Sequence, residues 1–155
     1  MQDYPSQVHP RDKDDTDLQL LLRQLDRRSS LVATGVWGGR FDHLYSNLLT
    51  LAAWQKENGP VVLLADDSEI AVLVSPGLQV RFKPAAGVPV ISLLPLAENS
   101  RVNLKGVKWP LHQALLQRDY PYAVSNELTA PVVEFSYTRG AAALYFKFHV
   151  EQLTR

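Results

Sequence analysis

Around Asp66 the period of the apolar residues changes, and this change limits the possible folds more than any other feature. Before it, Leu18, Leu21, Leu22 and Leu25 recur at the spacing of one helix face. Leu44, Leu48, Leu51 and Ala52 do the same after Phe41. Two continuous apolar runs, LVATGV (31–36) and VVLLA (61–65), follow these helical stretches and have the pattern of buried strands. ENGP (57–60) ends the second helix, with Gly59 at its stop and Pro60 just beyond. Helix, strand, helix, strand predicts a partial parallel α/β, Rossmann-like domain over residues 1–66. Two strands and two helices make a small sheet, so a partner chain or an upstream segment is expected to complete it.

After Asp66 the period falls to two. EIAVLV, LQVRF and VPVISLLPL are separated by the turn signals SPG, KPAAG and ENS. Val133, Phe135 and Tyr137 alternate with polar neighbours, as do Leu144, Phe146 and Phe148 with Tyr145, Lys147 and His149. This rhythm predicts an antiparallel β-sandwich over residues 67–155. The expected fold class is therefore α/β followed by all-β.

Composition excludes several function classes. A chain of 155 residues with 46% hydrophobic and 21% charged residues can bury a core of its own. A formal net charge of +0 argues against a protein built to grip nucleic-acid phosphates. There is no cysteine, so disulfides, thiolate zinc sites and cysteine catalysis are absent. The four histidines are dispersed, without HxH or HExxH spacing. The polar N-terminal stretch has no signal-like apolar core, and no apolar run approaches the ~20 residues of a membrane span. A cytoplasmic location with no membrane or nucleic-acid partner is the expectation.

Three groups of residues can carry chemistry. In RDKDDTDLQLLL (11–22), Asp12, Asp14, Asp15 and Asp17 crowd the start of the first helix. Thr16 or Asp15 would cap that helix and Asp17 would lie in its first turn. Capping needs fewer carboxylates, and the surplus suits Mg²⁺, which takes one or two carboxylates together with phosphate oxygens. A merely solvated charge cluster is the competing reading. In GVWGGRFDH (35–43), Gly38 and Gly39 allow close backbone approach, Arg40 can fork onto phosphate, and Asp42 stands at a helix start. The alternative is a tight turn in which Arg40 and Asp42 pair with each other. GxxxxGK[ST] does not occur, so any ATP would be held without a P-loop. In LKGVKWPL (104–111), Trp109 is held extended by Pro110 and is either a core tryptophan or a plate for a flat ligand. In AVSNEL (123–128), Ser125 and Asn126 are turn formers or donors to a heterocycle.

Together and in this order, these segments, with VVLLADDSEIAVL and ISLLPLAENSRVNLKGVKWPL, resemble the thiamine pyrophosphokinase family from about Arg11 onward. The resemblance implies an N-terminal α/β domain, a C-terminal β-sandwich, and a homodimer with active sites between subunits. It implies transfer of diphosphate from ATP to the thiamine hydroxyl, giving thiamine diphosphate and AMP. By motif match, Asp14 and Asp17 would lie at the Mg²⁺–ATP site, flanked by Lys13 and Thr16. Arg40 and Asp42 would face the phosphates and the reacting hydroxyl. Ser125, Asn126 and Trp109 would lie near thiamine. The family carries further acidic segments upstream, resembling Asp-Gly-Gly and Gly-Asp-x-Asp-Ser, which nothing before Arg11 matches. The resemblance therefore covers the C-terminal two-thirds of the family's length, and a shortened form of doubtful activity on its own is expected. The alternatives are a non-catalytic thiamine-binding or dimerisation module, and an unrelated sandwich that binds carbohydrate or protein.

Overall fold

The structure, a computed structural model, describes residues 14–26, 29–37, 39–59, 61–84 and 90–147. In chain order the elements are α1 (Asp17–Leu22), β1 (Leu31–Thr34), α2 (Phe41–Asn58), β2 (Val61–Ala65) and β3 (Glu69–Val74). They continue with β4 (Gln79–Phe82), β5 (Val90–Pro95), β6 (Asn99–Lys105) and β7 (Leu111–Gln117). The last three are β8 (Asn126–Glu127), β9 (Val133–Arg139) and β10 (Ala142–Lys147). Thr16 caps α1 reciprocally: its hydroxyl accepts from Gln19 N at 3.3 Å, and the Gln19 side chain accepts from Thr16 N at 2.8 Å. Leu22 is buried and Leu25 packs beneath it after the helix has ended. Leu21 is exposed, because the short helix covers the core with only part of the predicted stripe.

The described residues are mostly β, in two sheets with few helices. β1 and β2 run parallel, with Leu31 opposite Val62. Every other pairing between named strands is antiparallel. Among the described residues the expected parallel sheet is thus a single pair. The cause is local. Asp66 Oδ1 accepts from Ser68 N and Glu69 N, both at 2.8 Å, and this Asx turn folds β3 straight back onto β2. The first sheet therefore continues across residue 66 in the order β1-β2-β3-β10-β5-β8, faced by a second sheet ordered β4-β9-β6-β7.

The larger sheet is buried on both faces along its middle strands. Val72 and Val74 of β3 and Leu144 of β10 enter the sandwich core with Leu104, Leu116 and Phe135. Ala71, Leu73 and Ala143 point the other way, toward Leu22, Leu51 and Trp54 of the helices. This explains why residues 70–74 are apolar without interruption, where a period of two would alternate. β1 departs from the doubly buried reading: Ala33 is buried, but Val32 is 60% exposed, and β1 pairs only with β2 among the described residues. The Tyr137 hydroxyl donates to the Val74 carbonyl and ties the sheets together. Trp54 Nε1 donates to Leu22 O at 3.3 Å and ties α2 to the end of α1.

Candidate functional site

Five of the residues singled out from sequence, Thr16, Asp17, Asp42, Trp109 and Asn126, line one of two cavities, while Asp14, Arg40 and Ser125 line neither. The first is a cavity of about 540 Å³ where β1 ends and α1 and α2 begin. Thr16 and Asp17 line it from α1, Gly35 and Val36 from the end of β1, and Asp42, His43, Ser46 and Asn47 from α2. Two motifs separate in sequence thus face one space. Gly35 and Gly39 both have φ +70, a left-handed conformation that lets the chain turn sharply between strand and helix. Asn47 Nδ2 donates to Val36 O at 3.1 Å and fixes that turn against the second coil of α2.

Arg40, the residue before α2, forks onto Asp42: Nε to Oδ1 at 3.1 Å and a terminal nitrogen to Oδ2 at 2.5 Å. The hydrogen bond from Arg40, more than its charge, holds the Asp42 carboxyl below the usual carboxylate range. The same pairing raises the Arg40 guanidinium. Both groups lie in solvent, so the pair is easily exchanged for another partner of Arg40. Asp15 is engaged with Arg23 at 2.7 Å. Asp14 is exposed just outside the helix. Lys13 and Gly38 lie outside the described residues. Among the described residues no three metal-ligating side chains converge. Asp17 is the carboxylate of this cavity that could share a magnesium ion with phosphate and water, while the exposed Asp14 is not among the cavity's lining.

The second place is a cavity of about 480 Å³ lined by Trp109, Leu111, Tyr122, Ala123, Val124 and Asn126. Its apolar walls and a few polar groups suit a small heterocyclic ligand. Trp109 is 53% exposed, which removes the core-tryptophan alternative. Lys108 Nζ stands 4.7 Å from the ring centroid. Asn126 is 4% exposed; its Oδ1 accepts from Trp109 N at 3.0 Å and its Nδ2 donates to Trp109 O at 2.7 Å. Ser125 has φ +56, and its backbone N–H donates to Ser92 Oγ at 3.0 Å. Tyr122 and Leu111 are walls the sequence reading missed; the aromatic–proline run YPYAV just before SNEL was the available signal. His43, Ser46 and Asn47 were missed as well, although they follow Asp42 at the spacing of one helix face.

The cavities lie toward opposite edges of one sheet. β1 is first and β8 sixth in the strand order, five inter-strand steps apart, or about 24 Å at the usual strand spacing.

A family model described as "Thiamin pyrophosphokinase, vitamin B1 binding domain" matches residues 78–141, from just before β4 to just before β10. The chain is 28% identical over 136 residues to the thiamine pyrophosphokinase of Bacillus subtilis (strain 168), covering 86% of this chain and 63% of that protein. The crystal structure of thiamine pyrophosphokinase from Bacillus subtilis superposes with a TM-score of 0.75 at 27% identity, covering 89% of this chain and 65% of that one. That of thiamin pyrophosphokinase from Geobacillus thermodenitrificans gives 0.72 at 26% identity, covering 93% and 66%. This chain thus spans less than two-thirds of these relatives' length. With the aromatic cavity inside the matched stretch and the acidic one ahead of it, the chain is similar to thiamine pyrophosphokinases over the C-terminal part of their length, and residues 78–141 match the family's vitamin B1 binding domain.

Proposed function

We propose that this chain works as a thiamine pyrophosphokinase: it moves the terminal diphosphate of ATP to the thiamine hydroxyl and yields thiamine diphosphate and AMP. The observation that carries the reading is the meeting of Thr16, Asp17 and Asp42 in one cavity, in a chain that also bears the aromatic cavity.

In this reading the hydroxyl oxygen of thiamine forms a bond to the β-phosphorus of ATP. The bond from that phosphorus to the bridging oxygen breaks, AMP leaves with it, and the hydroxyl proton is released. Such a transfer needs alignment and positive charge rather than covalent help. Asp17, with Asp14 beside it, would hold a magnesium ion, which when bound supplies positive charge against the polyphosphate. Arg40 turns from Asp42 to the phosphates, a more highly charged partner for the same fork. Asp42, ionised and weakly basic, orients the thiamine hydroxyl rather than capturing its proton early. Trp109 walls the thiamine cavity, and Ser125 lies in the chain between its lining residues Val124 and Asn126.

A single chain cannot bring its own cavities together across about 24 Å, since reacting atoms must approach to ~3–3.5 Å. Two copies arranged head to tail supply one cavity each, so a homodimer with shared sites follows from the reading. Formation of AMP from ATP, thiamine and magnesium by the purified chain tests it; no AMP at any magnesium concentration refutes it. The second reading, a thiamine-binding or dimerisation module without turnover, is favoured by the confinement of the family match to residues 78–141. It predicts a thiamine-dependent rise in melting temperature with no AMP.

A further inference from the structure

We propose that the dipeptide Asn126–Glu127 is the positioning device for Trp109, with Asn126 acting through the Trp109 backbone rather than on a bound ligand. The proposal rests on the function above only for the identity of that ligand.

Trp109 has little to hold it still. The residue is 53% exposed, so packing holds it only in part, and Pro110 after it has no N–H to donate. Residues 126 and 127 supply what packing does not. Lys108 N donates to Glu127 O at 2.9 Å. Trp109 N donates to Asn126 Oδ1 at 3.0 Å, and Asn126 Nδ2 donates back to Trp109 O at 2.7 Å. The Asn126 amide thereby mimics the paired exchange a neighbouring strand would make, at a place where the ladder has stopped. Lys108 Nζ is held by both Glu127 carboxylate oxygens, at 2.8 and 3.0 Å, and from there lies over the ring. Backbone and one ring face are both fixed, and the cavity keeps a wall of set orientation.

The chemistry of Asn126 supports an indirect role. It is 4% exposed, and one donor and one acceptor of its amide are already engaged by the same residue. Its backbone pairs with Ile91 of β5, so the clamp is anchored in the larger sheet. Aspartate at this position keeps the acceptor for Trp109 N but sets a carboxylate oxygen against the Trp109 carbonyl. Alanine removes both bonds.

The test has two readouts on the full chain. The first needs no ligand. The chain has 3 tryptophans, so its indole N–H resonances are few, and the Trp109 signal is identified by its loss in Trp109→Phe. In Asn126→Ala the heteronuclear NOE of the Trp109 indole falls, while the Trp37 and Trp54 signals keep their positions and so report an intact fold. Asn126→Asp falls part of the way. An unchanged Trp109 NOE in Asn126→Ala overturns the proposal. The second readout is a double-mutant cycle on thiamine affinity by calorimetry. Asn126→Ala weakens binding about tenfold in the wild-type chain and has almost no further effect when Trp109 is already alanine. Additive losses mean that Asn126 touches the ligand itself, and they overturn the proposal. If the wild-type chain does not bind thiamine, the proposed function fails while the NMR readout still decides the role of Asn126.

Discussion

Replacing Gly106 with alanine separates two costs that usually arrive together. Gly106 has φ +85, and a Cβ built on it would stand 2.2 Å from the Val132 carbonyl oxygen. Gly77 has the same φ of +85 with nothing within 4 Å. Gly77→Ala therefore carries only the left-handed backbone penalty, about 1 kcal/mol. Gly106→Ala adds an overpacking term of about 1–3 kcal/mol. Relief by movement is restricted, because the Gly106 carbonyl already accepts from Thr129 N at 3.1 Å and Ala130 N at 3.2 Å. The expected loss is about 2–4 kcal/mol, which for a chain of this size lowers Tm by roughly 5–15 °C. Urea unfolding of both variants gives the comparison, provided the m-values agree. Equal midpoints for Gly106→Ala and Gly77→Ala would refute the argument, since the two sites share the same φ and only Gly106 meets a close contact. Gly106 lies just before Lys108 and Trp109, so any surviving Gly106→Ala chain should also bind thiamine poorly.

Tyr137→Phe strands the buried Val74 carbonyl and should cost about 1–3 kcal/mol in urea unfolding; an unchanged midpoint would mean the bond contributes nothing. Burial first, then the hydrogen bond to Glu69 and the charges of Glu69 and Asp66, push the Tyr145 phenol from 10.0 up to about 12. The folded state thus holds that proton more tightly, so the contribution is complete below pH 10 and lost as pH rises from 10 to about 12. Tyr145→Phe should flatten that part of the stability–pH curve, and a curve of unchanged slope would contradict the assignment. Asp17→Asn should abolish AMP formation while leaving calorimetric thiamine binding intact, because Asp17 lines only the acidic cavity; normal turnover would remove Asp17 from the reaction.

Much of this architecture could be read from apolar spacing, and the misreadings have physical causes. VVLLA became a strand as expected because a continuous apolar run reports burial on two faces, and β2 has it; EIAVLV, read among the period-two strands, also became a strand, although β3 is buried on both faces. The same pattern misled at LVATGV, where β1 lies at an edge and Val32 stays exposed. Burial there depends on what pairs with the edge, and a run of residues does not encode its neighbour. The change of period at Asp66 suggested two separate sheets, yet the Asx turn of Asp66 joins them into one. Turn chemistry at a single aspartate outweighed the periodicity on either side. At the site, Asp17 and Asp42, singled out from the acidic and Gly-Gly-Arg motifs, line one cavity. Asn126 was legible as a candidate polar residue of the aromatic cavity that it lines. Its attachment to Trp109 depends on a contact between distant segments, which spacing cannot report.

Because the acidic and aromatic cavities sit at opposite edges of one sheet, subunit complementation tests the shared-site account most directly. Asp17→Asn chains and Trp109→Ala chains, each inactive alone, are mixed, unfolded and refolded together, and AMP formation is followed. In a dimer with shared sites, a mixed pair concentrates both defects in one site and leaves the other whole. Activity should therefore return in the mixture. A mixture as inactive as its parents, beside a wild-type chain that turns over, would mean that each chain builds its own site and that the account is wrong.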